Sequence, residues 1–268
     1  MYSIFYLLII NHRQGMPCLY NKIMNLSNNT ILITGGGSGI GLALAERFIK
    51  AGSEVIICGR REAKLKEAKE KFPSIHTYVC DVANKSQREE LCKWAVSNFP
   101  KLNILINNAG IQRQNNFLKG ADMASASEEI ETNLVSTIHL SALFIPHLLR
   151  KPDSSIINVS SGLGFIPIAR MPVYCATKAA IHSFTLSLRH QLKSTSIKVY
   201  EIIPPTVDTE LDHGTRPQSF RGMPLNEFAD EAMKGLESDN IEVTVGMSKG
   251  LFGENRASRE EAFARMNG

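Results

Sequence analysis

From residue 30 onward, short runs of apolar and β-branched residues alternate with longer stretches whose apolar positions recur at helical spacing. The short runs predict strands, and the longer stretches predict helices between them. This alternation is typical of an α/β fold in which helices cover both faces of a parallel sheet. We therefore predict a Rossmann-type, doubly wound sheet of about seven strands. The predicted strands are Thr30–Thr34, Glu54–Gly59, His76–Cys80, Asn103–Asn107, Ser155–Val159, Lys198–Ile203 and Ile241–Val245.

No linker, charge block or repeat divides residues 24–268, so we expect a single domain over that range. Within it, the polar stretch at about residues 208–224 is either a lid over the substrate or a plain surface loop.

Residues 1–23 precede this pattern, and we expect them to be an appendage outside the native fold. Their apolar run, Ile4–Ile10, is far shorter than the ~20 residues that span a bilayer, and no Lys or Arg precedes it. Neither a secretory signal nor stable membrane insertion is therefore predicted. A segment that touches a membrane weakly is the alternative.

Charge and cysteine content narrow the functional classes. The net charge of the 268 residues is +4, and the basic residues are interspersed with acidic ones, so nucleic acid is not predicted as a partner. The five cysteines form no CxxC pair and have no histidine at metal-ligand spacing, so neither disulfides nor a metal site is indicated. This usage fits a reducing compartment and predicts a cytoplasmic protein.

A glycine-rich turn lies between the first strand and the amphipathic stretch Leu42–Lys50. Glycines there permit a tight turn and a close approach of the backbone to a phosphate at a helix N-terminus. We predict that this turn binds the pyrophosphate of a dinucleotide, although turn chemistry alone is the alternative. The candidate contacts are Gly35, Gly37, Ser38, Gly39, Ile40 and Gly41.

The second strand ends in Gly59-Arg60-Arg61, where an acidic residue would bind the 2′-hydroxyl of NAD and an arginine the 2′-phosphate of NADP. The absence of a carboxylate favours NADP(H), with Arg60 ahead of Arg61, while NAD(H) stays possible and a solvated helix start is the alternative. Asp81 closes the third strand and either contacts adenine or caps the next helix.

Tyr174 and Lys178 are one helical turn apart and follow Ser161. A phenol with its ordinary pKa of about 10 exchanges protons poorly at neutral pH, and a neighbouring ammonium favours the phenolate. Ser161 can hold a carbonyl or alcohol oxygen while Tyr174 moves its proton. These groups suit the interconversion of a ketone or aldehyde with an alcohol, provided that a cofactor carries the hydride. An ordinary helix and turn are the alternative.

Taken together, these motifs resemble the short-chain dehydrogenase/reductase family over residues 30–245. Its TGxxxGxG, NNAG and YxxxK motifs match, in order, residues 34–41, 107–110 and 174–178. The resemblance implies that Tyr174 is the general acid/base, that Ser161 orients the substrate oxygen, and that Lys178 lowers the pKa of the tyrosine. It also implies that the backbone of Asn133, in a long predicted helix at 125–149 containing Pro146, holds a water. The implied cofactor contacts outside the glycine turn and the arginines are Asp81, Val82, Asn108, Ala109, Gly110, Tyr174, Lys178, Pro204, Val207 and Thr209.

The resemblance further implies a small-molecule carbonyl or alcohol substrate, and a homodimer or homotetramer packed through the helices near 125–149 and 174–193. Among branches, the sequence is similar to uncharacterised bacterial oxidoreductases encoded with lipoteichoic acid D-alanylation genes. The expected substrate lining includes Leu163, Phe165, Ile166 and Arg170. A non-catalytic dinucleotide-binding regulator, or an epimerase or dehydratase on the same fold, is the alternative.

Overall fold

The computed structural model describes residues 24–212 and 221–253, together with residues 261 and 265. Within this part of the chain, seven parallel strands form one sheet in the order β3-β2-β1-β4-β5-β6-β7. The strands are β1 (Thr30–Thr34), β2 (Glu54–Gly59), β3 (His76–Val79), β4 (Ile104–Asn107), β5 (Ser154–Val159), β6 (Ile197–Ile203) and β7 (Glu242–Thr244). The prediction of a single-domain, Rossmann-type α/β fold is therefore confirmed.

Helices connect the strands and lie on both faces of the sheet. They are α1 (Gly39–Lys50), α2 (Glu62–Lys71), α3 (Lys85–Asn98), α4 (Met123–Ile130), α5 (Ser136–Leu148), α6 (Pro172–Leu192), α7 (Leu225–Glu237) and α8 (Ser248–Gly253). None of the helices in the described ranges is long and apolar enough to cross a membrane. The predicted appendage, residues 1–23, and residues 213–220 of the predicted lid lie outside the described residues.

Two apolar cores cover the two faces because successive strand residues point in opposite directions. Ile31 and Ile33 of β1 belong to the core beneath α1, α2 and α7, whereas Leu32 belongs to the core beneath α3, α5 and α6. All three side chains are fully buried. This arrangement explains why the central strands read as continuous apolar runs rather than as alternating ones.

The long helix predicted at 125–149 differs from the expectation in one respect. A π-helical turn, Glu131–Val135, separates α4 from α5 and contains Asn133. Pro146 lies near the end of α5, which stops two residues later at Leu148, as expected for a residue that cannot donate a backbone hydrogen bond. The widened turn was not predictable from helical spacing, and such turns occur frequently at functional sites.

Gly235 tests how tightly α7 packs on the sheet. A Cβ at this position would lie 2.4 Å from Val243 Cγ1, so Gly235→Ala should lower the free energy of unfolding by about 1–3 kcal/mol through overpacking. Gly250→Ala in α8 is the matched control, because its Cβ would meet no atom within 4 Å. Denaturant unfolding of both variants measures the difference, and equal stabilities would contradict this packing.

Candidate active site

A cavity of about 610 Å³ opens at the carboxyl ends of the strands, beside β1 and β4. The chain connections diverge between these two strands, which is where doubly wound sheets bind ligands. With the exception of Gly41 and Asn133, every residue proposed from the sequence as a catalytic or cofactor-binding residue lines this cavity. The fold thus gathers groups from seven separate segments of the chain into one place.

The glycine turn is held by hydrogen bonds to the end of β4. Thr34 Oγ1 accepts from the backbone N–H groups of Asn108 and Ala109, both at 3.0 Å. The Asn108 side chain donates to the carbonyls of Thr34 (2.9 Å) and Gly35 (3.3 Å). A Cβ on Gly41 would lie 2.4 Å from the Gly35 oxygen, so Gly41 supports the turn from behind. The amide of Asn108 is therefore used to position the turn.

The N-terminus of α1 points into the cavity without a side-chain cap. Ser38 is extended at the N-cap position and makes no capping hydrogen bond, and the first turn carries no acidic residue. Gly35 and Gly39 both adopt positive φ, at 64° and 53°. The backbone N–H groups at this end can therefore receive a phosphate, whose charge the helix dipole would favour.

Both arginines after β2 line the cavity, but their surroundings differ. Arg61 Nη2 donates to Ser38 Oγ at 2.8 Å, and Arg61 Nη1 pairs with Glu210 at 3.0 Å. Lys64 Nζ is 3.8 Å from the same carboxylate. Arg60 instead pairs with Glu128 at 3.2 Å. Arg61 and Lys64 thus both approach the carboxylate of Glu210, although Lys64 Nζ is closer to Glu67, at 2.8 Å.

Asp81 does not cap the following helix. The N-cap of α3 is Asn84, whose side chain accepts from the backbone N–H groups of Ser86 and Gln87. Asp81 Oδ1 accepts from Ala83 N at 3.0 Å, and the residue lines the cavity just after β3. The structure therefore excludes the capping alternative.

Ser161, Tyr174 and Lys178 meet where β5 and α6 approach each other. The Tyr174 phenol is 5% exposed, and burial raises its pKa well above the ordinary value, while a hydrogen bond with Ser161 opposes this rise. The Lys178 ammonium lies 5.6 Å from the centre of the Tyr174 ring and donates to Val159 O at 2.9 Å. Burial thus outweighs the hydrogen bond to Ser161, and Tyr174 is held as the neutral phenol, while the lowering of its pKa by Lys178 stays a prediction.

The Lys178 side chain is itself buried, at 4% exposure, and burial lowers its pKa to about 8. Two fully buried carboxyl groups oppose this shift, Glu201 on β6 and Glu129 on α4. Glu201 Oε2 is 2.8 Å from His182 Nδ1, and Glu129 Oε1 accepts from the backbone N–H of Arg113 at 2.9 Å. The lysine therefore lies within the field of two carboxyl groups from different elements.

Asn133 lies behind the cavity wall and connects three elements. Its side chain accepts from Ile111 N at 2.8 Å and donates to Ile111 O at 2.9 Å and to Thr177 Oγ1 at 3.1 Å. Its carbonyl accepts from Thr137 Oγ1 at 2.9 Å. Asn133 thereby fixes the loop after β4 against α6, one residue before Lys178.

The opposite end of the cavity is mixed in polarity. Leu163, Ile168, Met171 and Gln112 line it, and Arg170 lies at its exposed edge. The expectation that Phe165 and Ile166 line the substrate region was wrong. Phe165 stacks edge-on against His182 and Phe252, and Ile166 is fully buried and does not line the cavity.

A family model described as short chain dehydrogenase matches residues 29–219. The chain belongs to the short-chain dehydrogenase family. It is 50% identical to the uncharacterised oxidoreductase DltE of Bacillus subtilis over 248 residues, which are 91% of this chain and 98% of DltE. The predicted family and its branch of uncharacterised bacterial oxidoreductases are thus confirmed, and the protein is an oxidoreductase of this family.

Solved structures show the same fold. A short-chain dehydrogenase from Burkholderia cenocepacia, crystallised in complex with NADP, matches with a TM-score of 0.79 at 27% identity. The match covers 91% of this chain and 99% of that one. A family member from Burkholderia phymatum, crystallised with NAD, has a TM-score of 0.76 at 20% identity, covers 83% of this chain and 90% of its own, and shows the shared fold alone.

Sequence reasoning missed two charged residues that line the cavity, Lys64 and Glu210, and one buried acid that acts on Lys178, Glu129. Lys64 and Glu210 resemble ordinary surface charges in the sequence, and only the fold brings them to Arg61. Glu129 follows Glu128 in a sequence that looks like a solvated helix face. Its spacing could have identified it, because Glu129 is four positions before Asn133 and therefore lies on the same side of the helix.

Thr34→Val tests whether the frame between β1 and β4 supports the site. The isosteric change removes the acceptor of two backbone N–H groups at a residue that is 1% exposed, so unfolding free energy should fall by about 2 kcal/mol or more. Thr30→Val is the matched control on the same strand, since Thr30 makes one partly buried bond to Glu54. Thermal unfolding compares the two, and an equal loss would contradict a special role for Thr34.

Proposed function

We propose that the protein transfers hydride between NADP(H) and a carbonyl or alcohol substrate, with Tyr174 as the general acid and base. The observation that carries this proposal is the meeting of Ser161, Tyr174 and Lys178 in the cavity that the glycine turn also lines. Family membership supports redox chemistry, and relatives crystallised with NAD and with NADP support a nicotinamide dinucleotide as the cofactor. The intact set of groups favours catalysis over a non-catalytic regulatory role.

The residues of this chain suggest how the reaction proceeds. The bound nicotinamide would supply or receive the hydride. Ser161 would donate a hydrogen bond to the substrate oxygen and stabilise the developing alkoxide, while Tyr174 passes its proton to that oxygen. Because burial keeps Tyr174 protonated, its resting form suits the reduction of a carbonyl. Asn133 would keep the loop after β4 in place beside Lys178.

The nucleotide end of the cavity supports a preference for NADP(H). The 2′-phosphate of NADP would take the place of the Glu210 carboxylate beside Arg61 and Lys64, since a phosphate can accept from both cations. Arg61 is thus a better candidate than Arg60 for the phosphate, the reverse of the order expected from the sequence. Asp81 would lie beside the adenine.

Arg61→Met should separate the two cofactors. Loss of a charge-assisted bond to phosphate should weaken NADPH binding about tenfold or more and leave NADH binding almost unchanged. Titration of the purified protein, followed by the fluorescence of the reduced nicotinamide, measures both affinities. Arg60→Met is the control and should have the smaller effect. A wild type that binds NADPH and NADH equally would contradict the preference.

Tyr174→Phe should reduce NADPH-dependent turnover of a carbonyl compound by about 10²-fold or more while leaving NADPH affinity nearly intact. The matched serine pair refines this test. Ser161→Ala should lower turnover because Ser161 bonds Tyr174, whereas Ser160→Ala should retain it, because Ser160 Oγ has no partner among the described residues. Full turnover by the phenylalanine variant would refute the assignment.

We also propose that two or four copies associate through α4, α5 and α6 and that the protein acts in the cytoplasm. Ile130, Ile138 and Leu186 on these helices are 41%, 40% and 42% exposed, which supports a further apolar contact there. The cysteines Cys58, Cys80, Cys92 and Cys175 are unpaired thiols, which supports a reducing compartment.

A further inference from the structure

The lining of the cavity carries more positive than negative charge. Among the described residues, the cationic ones that line it are Arg60, Arg61, Lys64, Arg170, Lys178 and Arg265. The acidic ones are Asp81, which follows β3, and Glu210, which follows β6. A cleft lined mainly by one sign of charge attracts ligands of the opposite sign, so this cavity favours anions.

The cofactor accounts for only part of this charge. In the proposed function, its phosphates lie at the glycine turn after β1 and beside Arg61 and Lys64 after β2. Arg170 lies in the segment between β5 and α6. In the sheet, β5 is two strand spacings from β1 and three from β2, which is roughly 10 and 14 Å. The phosphates of the cofactor therefore do not explain the charge of Arg170.

The Arg170 guanidinium has no counter-charge in the part of the chain that the structure describes. Its side chain is exposed at the edge of the cavity and forms no ion pair or side-chain hydrogen bond with a described residue. Arg265, by contrast, lies 3.9 Å from Glu261, and Lys178 Nζ donates to Val159 O at 2.9 Å. Arg170 is thus available to a ligand.

Backbone hydrogen bonds fix Arg170 beside the reacting groups. Arg170 O accepts from Asn115 N at 3.1 Å, which ties this segment to the loop after β4. Met171 N donates to Ile168 O at 3.2 Å. These bonds restrain the chain next to Arg170, so its side chain starts from a fixed point four residues before Tyr174.

An apolar surface lies between the reacting phenol and Arg170. Ile168, Met171 and Tyr174 belong to one buried cluster, and Leu163 packs against it. All four residues also line the cavity. A substrate whose oxygen meets Tyr174 would therefore place hydrocarbon groups against this surface before it reaches the guanidinium.

We propose that the substrate is an oxo acid or the corresponding hydroxy acid, in which a short hydrocarbon spacer separates the reacting carbon from a carboxylate bound by Arg170. One guanidinium presents parallel N–H donors that match the two oxygens of a carboxylate. A phosphate dianion would keep a charge that a single arginine does not neutralise. The inference rests on the proposed function and names its substrate class.

The carboxylate keeps all its bonds during the reaction. In reduction, the carbonyl carbon receives hydride from NADPH and forms a C–H bond, while the carbonyl oxygen takes the proton of Tyr174. The oxo acid is reduced to a hydroxy acid, NADPH is oxidised, and one proton is consumed overall. Because Arg170 binds the carboxylate before and during this step, its loss should raise KM more than it lowers kcat.

Matched acids and amides test the substrate class. The probes are 3-oxobutanoate, 4-oxopentanoate and 5-oxohexanoate, each compared with its neutral amide through the oxidation of saturating NADPH. For the acid of the best spacer length, wild type should show a kcat/KM about tenfold or more above that of the amide. Added NaCl should reduce this ratio, because salt screens an exposed charge.

Arg170→Met should raise KM for the acid about tenfold or more and leave KM for the amide nearly unchanged. Arg170→Lys keeps the charge but not the paired donors, so it should lose less of the preference. Arg150→Met is the matched control, because Arg150 is an exposed arginine after α5 that does not line the cavity. Both arginines are exposed, so the variants should fold and bind NADPH as wild type does.

The outcomes separate this inference from the proposed function. A wild type that reduces neutral aldehydes or ketones as well as the oxo acids would overturn the inference alone. So would an Arg170→Met variant that loses acid and amide turnover equally, or a preference for a ketone that carries a phosphate. A wild type that binds NADPH and reduces no carbonyl compound would overturn the proposed function and this inference with it.

Discussion

The hydrogen bonds between the ends of β1 and β4 hold the parts of the site in one frame. Thr34 accepts from two backbone N–H groups after β4, and Asn108 donates back to the carbonyls of the glycine turn. These bonds cross the point at which the chain connections diverge. The loop after β4 is in turn bonded to Asn133, and Asn133 to Thr177 on α6. The nucleotide end and the reactive end are thus joined through short polar contacts, and loss of one would disturb both.

Burial sets the chemistry of the reactive end. It raises the pKa of Tyr174, lowers that of Lys178 and raises that of Glu129, because each charged form loses its hydration. In water the glutamate would titrate about six units below the lysine and the tyrosine, whereas here the lysine and the glutamate reach the neutral range together. Burial within the fold is therefore what brings the pKa values of the lysine and the glutamate close together.

At the nucleotide end of the cavity, by contrast, the charged side chains are exposed to solvent. The side chains of Arg61 and Glu210 are 49% and 57% exposed, and such surface ion pairs contribute little to stability. The Glu210 carboxylate can therefore be displaced easily by an anion that binds Arg61 more strongly. This exposure fits a site that must release its ligand, and it contrasts with the buried bonds around Thr34, which are structural.

By itself, the sequence determined the element order, the sheet and the family, because apolar periodicity and motif spacing are local properties. β1 and β2 have the same bounds as the strands predicted from the apolar pattern. Only the tertiary structure decided the π-helical turn at Asn133, the grouping of Glu210 with Arg61, and the burial of Glu129. These features depend on contacts between segments far apart in the chain. Helical spacing and residue type are local properties, so they do not show which side chains a distant segment will bury and remove from water.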